Sequence, residues 1–143
     1  MNAKTLILGT ILTLAAAPAL ADIGQVKNLE GDVQVERSGK QMTLGLGDRL
    51  EQHDVVLTGP DSKVGITFVD NTRLSAGPNS RIEIAKFNFN ETTHEGNFLT
   101  RIKSGSMAIT SGYIAKSHPD AMQVKTPTSV LAVRGTRFLV KVD

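Results

Sequence analysis

The chain has 143 residues, 16 basic and 14 acidic side chains, 40% hydrophobic residues and no cysteine. This length suits one domain rather than two, and the lack of cysteine excludes a disulfide framework and a thiol-linked lipid anchor. Basic and acidic residues alternate without a run of either sign, so the sequence predicts no binding of nucleic acid.

The first 21 residues have the pattern of an export signal. Lys4 gives a short positive region, residues 6–17 are apolar but too few to span a bilayer comfortably, and residues 18–21 end in a small-x-small pattern. We expect cleavage after Ala21. This would leave residues 22–143 as a mature periplasmic domain without stable membrane insertion. A retained N-terminal anchor is the alternative interpretation.

The mature chain begins with short segments of alternating polarity. Residues 32–36 alternate, residues 38–40 are typical of a turn, and residues 42–46 alternate again, so we predict a first hairpin. Residues 49–54 follow neither the strand nor the helix period and are interpreted as a connection. The brief apolar run at residues 55–58 predicts the next strand.

A short duplication follows. Residues 59–66 and 77–84 each place Gly-Pro and a small polar pair before alternating branched residues, so each predicts a β-turn and then a strand. Between the copies, Asp70 and Asn71 predict a hairpin with a two-residue loop, because both residue types accept positive φ. The duplication indicates similar β-turn units laid side by side, and chance similarity is the alternative.

The apolar pattern then changes phase. Ile84 and Phe87 lie on opposite parities, so a bulge or bend is expected near residues 85–86. Residues 90–97 are polar throughout and predict the longest loop.

The last third of the chain predicts more short strands. We expect strands at residues 98–102 and 106–109, joined by a turn at residues 104–105. Residues 112–122 are the one place where a helical turn could lie, and Gly112 and Pro119 bracket it, so any helix there is short. Further strand signals occupy residues 123–127, 130–133 and 138–142.

These signals amount to about ten short strands and no convincing amphipathic helix. They predict an all-β single domain, sandwich- or solenoid-like or a barrel, with stacked hairpin and turn units. Because only 4% of the residues are aromatic, the core is predicted to be aliphatic.

The reactive side chains do not form a recognisable catalytic or metal motif. His53, His94 and His118 lie in separate predicted loops without metal-ligand spacing and are interpreted as solvated. Ser106 and Ser111 have no nearby basic partner that would mark a nucleophile.

Four aspartates recur near turns. A carboxylate pair for acid–base chemistry is the alternative to a turn-forming role, which we favour. They are Asp48, Asp54, Asp61 and Asp70. We therefore expect a non-enzymatic protein with no catalytic residues, no metal and no cofactor.

The C-terminal segment has two open interpretations. Arg134 and Arg137 on either side of Gly135 could form a forked site for a carboxylate or phosphate. We favour the structural interpretation, in which Arg134 pairs with an acid and Gly135 turns the chain. The strand at residues 138–142 either presents a free edge to another chain or lies between neighbours.

Several segments, in this order, resemble the FecR domain. The two most specific are Asp-x-x-x-Thr-Gly and the terminal Arg-Gly-Thr-x-Phe, and the resemblance extends from about Gly31 to Val140. The segments are residues 47–48, 54–59, 64–74, 124–128 and 133–138.

The resemblance implies a periplasmic, all-β, non-enzymatic module. In the founding members, this module receives a signal from an outer-membrane, TonB-dependent receptor for iron siderophores. Their cytoplasmic segment controls a sigma factor through a membrane helix. Because this chain begins with an export signal and ends soon after Arg-Gly-Thr-x-Phe, we expect it to lack those parts and the receptor-docking portion. The resemblance therefore implies the domain itself, and it leaves open whether iron signalling is involved.

We predict a periplasmic module that senses a signal or binds a periplasmic or outer-membrane protein through a strand edge or a loop face. The alternative is a small-ligand or cell-wall glycan binding protein, although the chain has few aromatic residues to stack on sugars. A hydrolase is the third hypothesis. The sequence does not identify the residues that bind the partner.

Overall fold

The computed structural model describes Gly9 and residues 21–143. The predicted export signal lies outside these residues except for Gly9 and Ala21. Residues 21–143 form twelve strands and one short helix: β1 (Asp22–Glu30), β2 (Val33–Arg37), β3 (Lys40–Thr43), β4 (Arg49–Glu51), β5 (Val55–Thr58), β6 (Lys63–Phe68), β7 (Arg73–Ala76), β8 (Arg81–Phe89), β9 (Gly96–Thr110), α1 (Tyr113–Ser117), β10 (Met122–Lys125), β11 (Val130–Ala132) and β12 (Arg137–Val142).

The strands form two halves that share β9. We call β4-β1-β6-β7-β9-β12 the front sheet and β3-β2-β5-β8-β9-β10-β11 the back sheet. Residues 96–104 of β9 pair with β8 in the back sheet, and residues 105–110 pair with β12 in the front sheet. The all-β prediction is confirmed, with a sandwich-like arrangement in which one long strand joins the two layers.

The core lies between the inner faces of the two sheets. Phe68 of the front sheet contacts Phe98 of the back sheet with 4.6 Å between ring centroids, and Phe87 lies 4.9 Å from Phe98. Alternating aliphatic residues surround these rings in a single buried cluster. The prediction of a purely aliphatic core is therefore wrong at its centre, because three of the five phenylalanines meet there.

Gly105 lets β9 pass from one sheet to the other. Before it, even-numbered residues such as Ile102 face the core, whereas after it Met107 and Ile109 do. Gly105 has a φ of +90°, a conformation that admits the extra residue needed for this change of phase. The turn predicted at this position is therefore wrong, since the strand continues through it.

The two Gly-Pro copies make equivalent connections between the sheets. Residues 59–62 lead from β5 to β6, and residues 77–80 lead from β7 to β8. Asp61 and Asn79 occupy the same place in each copy, with φ of 53° and 54°. The backbone N–H of Asn79 donates to the Gly59 carbonyl oxygen at 3.1 Å, so the copies also contact each other.

The serine that ends the turn of each copy supports a neighbouring sheet crossover. The backbone N–H of Asp32 donates to Ser62 Oγ at 2.9 Å, and the backbone N–H of Ser106 donates to Ser80 Oγ at 3.0 Å. Both serines are buried. The same hydrogen bond recurs in the two copies, so the duplicated sequence corresponds to duplicated structure rather than to chance similarity.

Two local predictions are wrong. Residues 49–51 form β4 and pair with β1, although the sequence predicts a connection there. The predicted hairpin of β6 and β7 forms, but its loop spans residues 69–72 instead of two residues, and within it Asn71 alone has positive φ, at 68°. Asp70 does not share that conformation because its side chain turns inward to accept hydrogen bonds.

Three other local predictions are confirmed. The β2–β3 hairpin forms in the predicted place, and α1 occupies part of the segment predicted to hold a short helix. The pairing of β8 with β9 shifts register between Ile84 and Lys86, where the phase change predicts a bulge.

Candidate interaction surface

The strand β12 forms an open edge of the front sheet. It pairs with β9 on one side, and no strand within residues 21–143 pairs with its other side. It has six residues, whereas the edge strands β3, β4 and β11 have four, three and three. A long edge offers a row of backbone donors and acceptors to another strand. The interpretation in which this strand lies between neighbours is therefore wrong for the described residues.

The side chains of β12 divide cleanly between two faces. Val140 is buried and Phe138 is partly buried against the core, whereas Arg137, Leu139 and Lys141 point outward. Leu139 is 72% exposed, the largest exposed fraction among the large hydrophobic residues of the described chain. An apolar side chain thus lies between two cations on the outer face of the edge.

A shallow groove of about 530 Å³ crosses the outer face of the front sheet beside this edge. Its floor is a row of in-register residues, one from each of five strands, and most of them are small. The row consists of Asn28, Gly65, Ser75, Ala108 and Leu139. Small side chains leave space above the sheet, so a larger apolar group could lie on this face.

Positive charge surrounds the groove. Five of the seven arginines form ion pairs, and the other two, Arg73 and Arg137, have no ion-pair partner in residues 21–143. Both lie directly opposite Thr110, one on each side, so they are two strands or about 10 Å apart. Lys141 lines the groove and likewise has no ion-pair partner within the described range, whereas Lys63, which also lines it, lies directly opposite Glu30.

A second exposed feature lies at the end of the molecule that carries α1. The His94 and Tyr113 rings stack at 4.2 Å, and Phe89 lies 6.1 and 6.2 Å from them with nearly parallel planes. Tyr113 remains 41% exposed. The structure therefore brings three aromatic rings together at the surface, from a loop, a strand end and a helix that are separate in sequence.

Asp70 positions this end of the molecule. Its buried carboxylate accepts hydrogen bonds from the backbone N–H and the hydroxyl of Thr72, at 3.0 and 2.7 Å, and from the backbone N–H of Ile114 at 3.2 Å. Its carbonyl oxygen accepts from the Tyr113 N–H at 2.8 Å. The aspartate thus ties α1 to the β6–β7 loop.

Asp54 has a similar structural role on the back sheet. It is 1% exposed, and its two carboxylate oxygens accept from Arg37 Nε at 2.8 Å and from an Arg37 terminal nitrogen at 2.7 Å. The hydrogen bond to Asp54 raises the pKa of Arg37 above its usual value, and the charge of nearby Glu51 acts in the same direction. Asp54 also accepts from the Glu51 backbone N–H at 2.8 Å, so each of its oxygens accepts at least one hydrogen bond.

The other two of the four aspartates near turns, Asp48 and Asp61, have the predicted turn roles. Asp48 accepts from the Gly45 backbone N–H at 2.7 Å, and Asp61 occupies the positive-φ position of its turn. The carboxylate-pair alternative gains no support, because the structure uses all four aspartates in turns, loops or ion pairs.

The histidines and serines considered as reactive groups remain apart. His53 and His118 are exposed in different loops, and the described chain contains no group of three or more His, Cys, Asp or Glu residues able to hold a metal. Ser111 Oγ donates to the Gly135 carbonyl oxygen at 2.7 Å, which is a structural contact. Ser106 lines the groove.

The Arg-Gly-Thr-Arg segment follows the structural interpretation. Arg134 lies 3.8 Å from the Asp120 carboxylate, and Gly135 has a φ of +83° at the entry to β12. Arg137 is exposed at the start of β12. Sequence reasoning did not identify Arg73 as a residue of this surface. Arg73 lies on the same face as Arg137, but only strand pairing brings those two together. The alternation of residues 137–142 already indicated part of this surface, because it places Leu139 on the same face of the strand as Arg137 and Lys141.

The only helix of the described residues, α1, has five residues, and no helix in this part of the chain could span a bilayer. The fold and surface define an all-β sandwich-like module with an open strand edge beside a cationic groove. The FecR protein family model matches residues 54–143, more than half of the chain, and the chain belongs to the FecR family. The predicted resemblance is thereby confirmed from Asp54 onward.

A solved structure described as a cell surface anchoring domain shares 38% identity with this chain, covering 44% of this chain and 84% of that one. Its TM-score of 0.43 is too low to establish a common fold. No curated protein matches the chain.

Proposed function

We propose that this FecR-family chain is an exported, non-enzymatic module of the cell envelope that binds a protein in the periplasm at the β12 edge. The observation that carries this proposal is the open six-residue edge with Leu139 exposed on it. An extended segment of a partner could add to such an edge through backbone hydrogen bonds. Every second side chain of that segment would then contact the outer face of the front sheet and provide specificity. Membership of the FecR family favours the envelope setting.

The environment of the buried carboxylates favours binding over catalysis. Asp54 and Asp70, the two aspartates buried within the described residues, are occupied by hydrogen bonds to Arg37, Thr72 and backbone N–H groups. A general acid or base needs an oxygen free to exchange a proton with substrate. Every oxygen of the two carboxylates already accepts at least one hydrogen bond from the protein, and both side chains hold the fold together.

Export is expected to remove the first 21 residues. The full chain, produced in a bacterium and recovered from the periplasmic fraction, should have the mass of a polypeptide that begins at Asp22. Recovery of the uncleaved chain from the membrane fraction would support the retained anchor instead.

Partner binding at the edge is expected to give position-specific cross-links. A photoreactive amino acid at position 139 should form an adduct with an envelope protein in living cells, because Leu139 lies on the open edge. The same residue at position 42 is the control, since Met42 is also exposed but lies on the edge strand β3 of the back sheet. Adducts of equal yield at both positions, or at position 42 alone, would contradict the proposal.

The glycan-binding alternative is favoured by one observation, the exposed cluster of Phe89, His94 and Tyr113. Aromatic faces stack on sugar rings, and this cluster lies at the surface, whereas Phe68, Phe87 and Phe98 are buried in the core. Tyr113 is the sole tyrosine and the chain has no tryptophan, so its fluorescence reports directly on the site.

If the cluster binds glycan, soluble peptidoglycan fragments should change Tyr113 emission in a saturable way. The variant His94→Ala should weaken that change, and free N-acetyltyrosine amide controls for optical effects. Our protein-binding proposal expects no saturable change.

A further inference from the structure

We infer that the strand accepted by β12 has the pattern acid-x-apolar-x-acid, with its apolar residue beside Leu139 and its acids beside Arg137 and Lys141. This inference rests on the proposed function, and it specifies the chemistry of the partner segment. The partner is therefore an acidic extended peptide segment of another protein.

Strand geometry sets the spacing of the pattern. Side chains on one face of a sheet recur at every second residue, and neighbouring strands place same-face residues beside each other. Residues 137, 139 and 141 all face outward, so three alternate residues of an added strand would lie next to them. The pattern reads the same in both directions and therefore suits a parallel or an antiparallel partner.

The cations of the front face determine which positions of the partner segment are acidic. Arg137 and Lys141 have no carboxylate partner in residues 21–143, and Arg73 extends the same sign to β7. Among the groove-lining residues, Glu30 is the single acid, and it belongs to β1, four strands away from β12. Opposite charges on directly paired residues stabilise adjacent strands, and like charges destabilise them.

The groove determines the apolar position. Leu139 and Ala108 are directly paired, and Ser75 continues the same row. A bulky aliphatic side chain beside Leu139 could cover this exposed leucine and lean toward the space above Ala108. This burial would remove apolar surface from water on both chains.

A second copy of this chain cannot satisfy all the outward residues of the edge. The antiparallel register that places Leu139 opposite Leu139 also places Arg137 opposite Lys141, and two-fold symmetry repeats this like-charge pair. The next register, centred on Val140, places Arg137 opposite Asp143 but leaves Leu139 opposite Lys141, so the exposed leucine gains no apolar neighbour.

The test measures binding of two fluorescent peptides to the full chain, exported and purified from the periplasm, by fluorescence anisotropy. One peptide contains Glu-Thr-Val-Thr-Glu, and the other contains Lys-Thr-Val-Thr-Lys in the same flanking sequence. The protein is compared with the double variant R137E/K141E and with K40E/K86E, which makes the same charge change at exposed lysines off the front face. A version of the acidic peptide with N-methylated alternate amides tests backbone pairing.

We expect the unmodified protein and K40E/K86E to prefer the acidic peptide by about tenfold or more, and R137E/K141E to prefer the lysine peptide. N-methylation should abolish binding, and the preference should weaken as salt is raised. Equal binding of both peptides, unchanged preference in R137E/K141E, or full binding of the methylated peptide would overturn the inference. So would self-association of the chain through β12.

The cross-linking result separates this inference from the proposed function. If position 139 gives its specific adduct but the acidic peptide does not bind, the recognition pattern is wrong and the edge still binds a protein. If position 139 gives no adduct and neither peptide binds, both proposals fail.

Discussion

Replacing Gly105 with alanine is expected to lower the free energy of unfolding by about 3–5 kcal/mol, which combines backbone strain with overpacking. Gly105 has a φ of +90°, which L side chains rarely adopt. A Cβ there would also overlap the hydroxyl and the Cα of the buried Ser80. Displacing the Ser80 backbone would cost free energy, so the substitution should disturb the crossover of β9 between the sheets.

Gly39→Ala is the matched control for this substitution. Gly39 has a φ of +76°, but a Cβ there would have no atom within 4 Å. It should therefore show the conformational cost alone, about 1–2 kcal/mol. Urea unfolding followed by circular dichroism measures both variants. Equal losses in the two would show that close packing at the crossover does not matter.

Replacing Asp70 with alanine is the second large expected effect, a loss of about 3–5 kcal/mol. The substitution removes the acceptor of three hydrogen bonds and leaves buried N–H and hydroxyl groups of Thr72 and Ile114 unpaired. Because Asp70 also holds the start of α1, the change should loosen the helix before the rest of the fold.

Two measurements distinguish this local effect from general instability. Hydrogen exchange should accelerate across residues 113–117 more than in β6, and Tyr113 emission should change in conditions where the sheet is intact. Asp48→Ala is the control, since Asp48 is exposed and accepts one hydrogen bond, so it should cost about 1 kcal/mol or less. A loss no greater for Asp70→Ala than for Asp48→Ala would contradict the assigned role.

Local patterns in the sequence determined much of this protein. Alternating apolar residues specified most strands and the inward face of each, because side chains on a strand alternate between its two sides. The repeated Gly-Pro units predicted two equivalent turns, and their backbone requirements are local. The ordered segments from Asp54 to Phe138 indicated the FecR family, whose model matches that region.

The tertiary structure alone decided which features became a surface. Whether β12 is an edge, whether Arg73 lies near Arg137, and whether Phe89 meets Tyr113 all depend on pairings between residues far apart in the chain. Gly105 also looks like an ordinary turn residue until its two flanking segments are seen to pair in different sheets. A periodic pattern specifies which face of a strand is buried but not which strands become its neighbours, and the candidate binding surface depends on those neighbours.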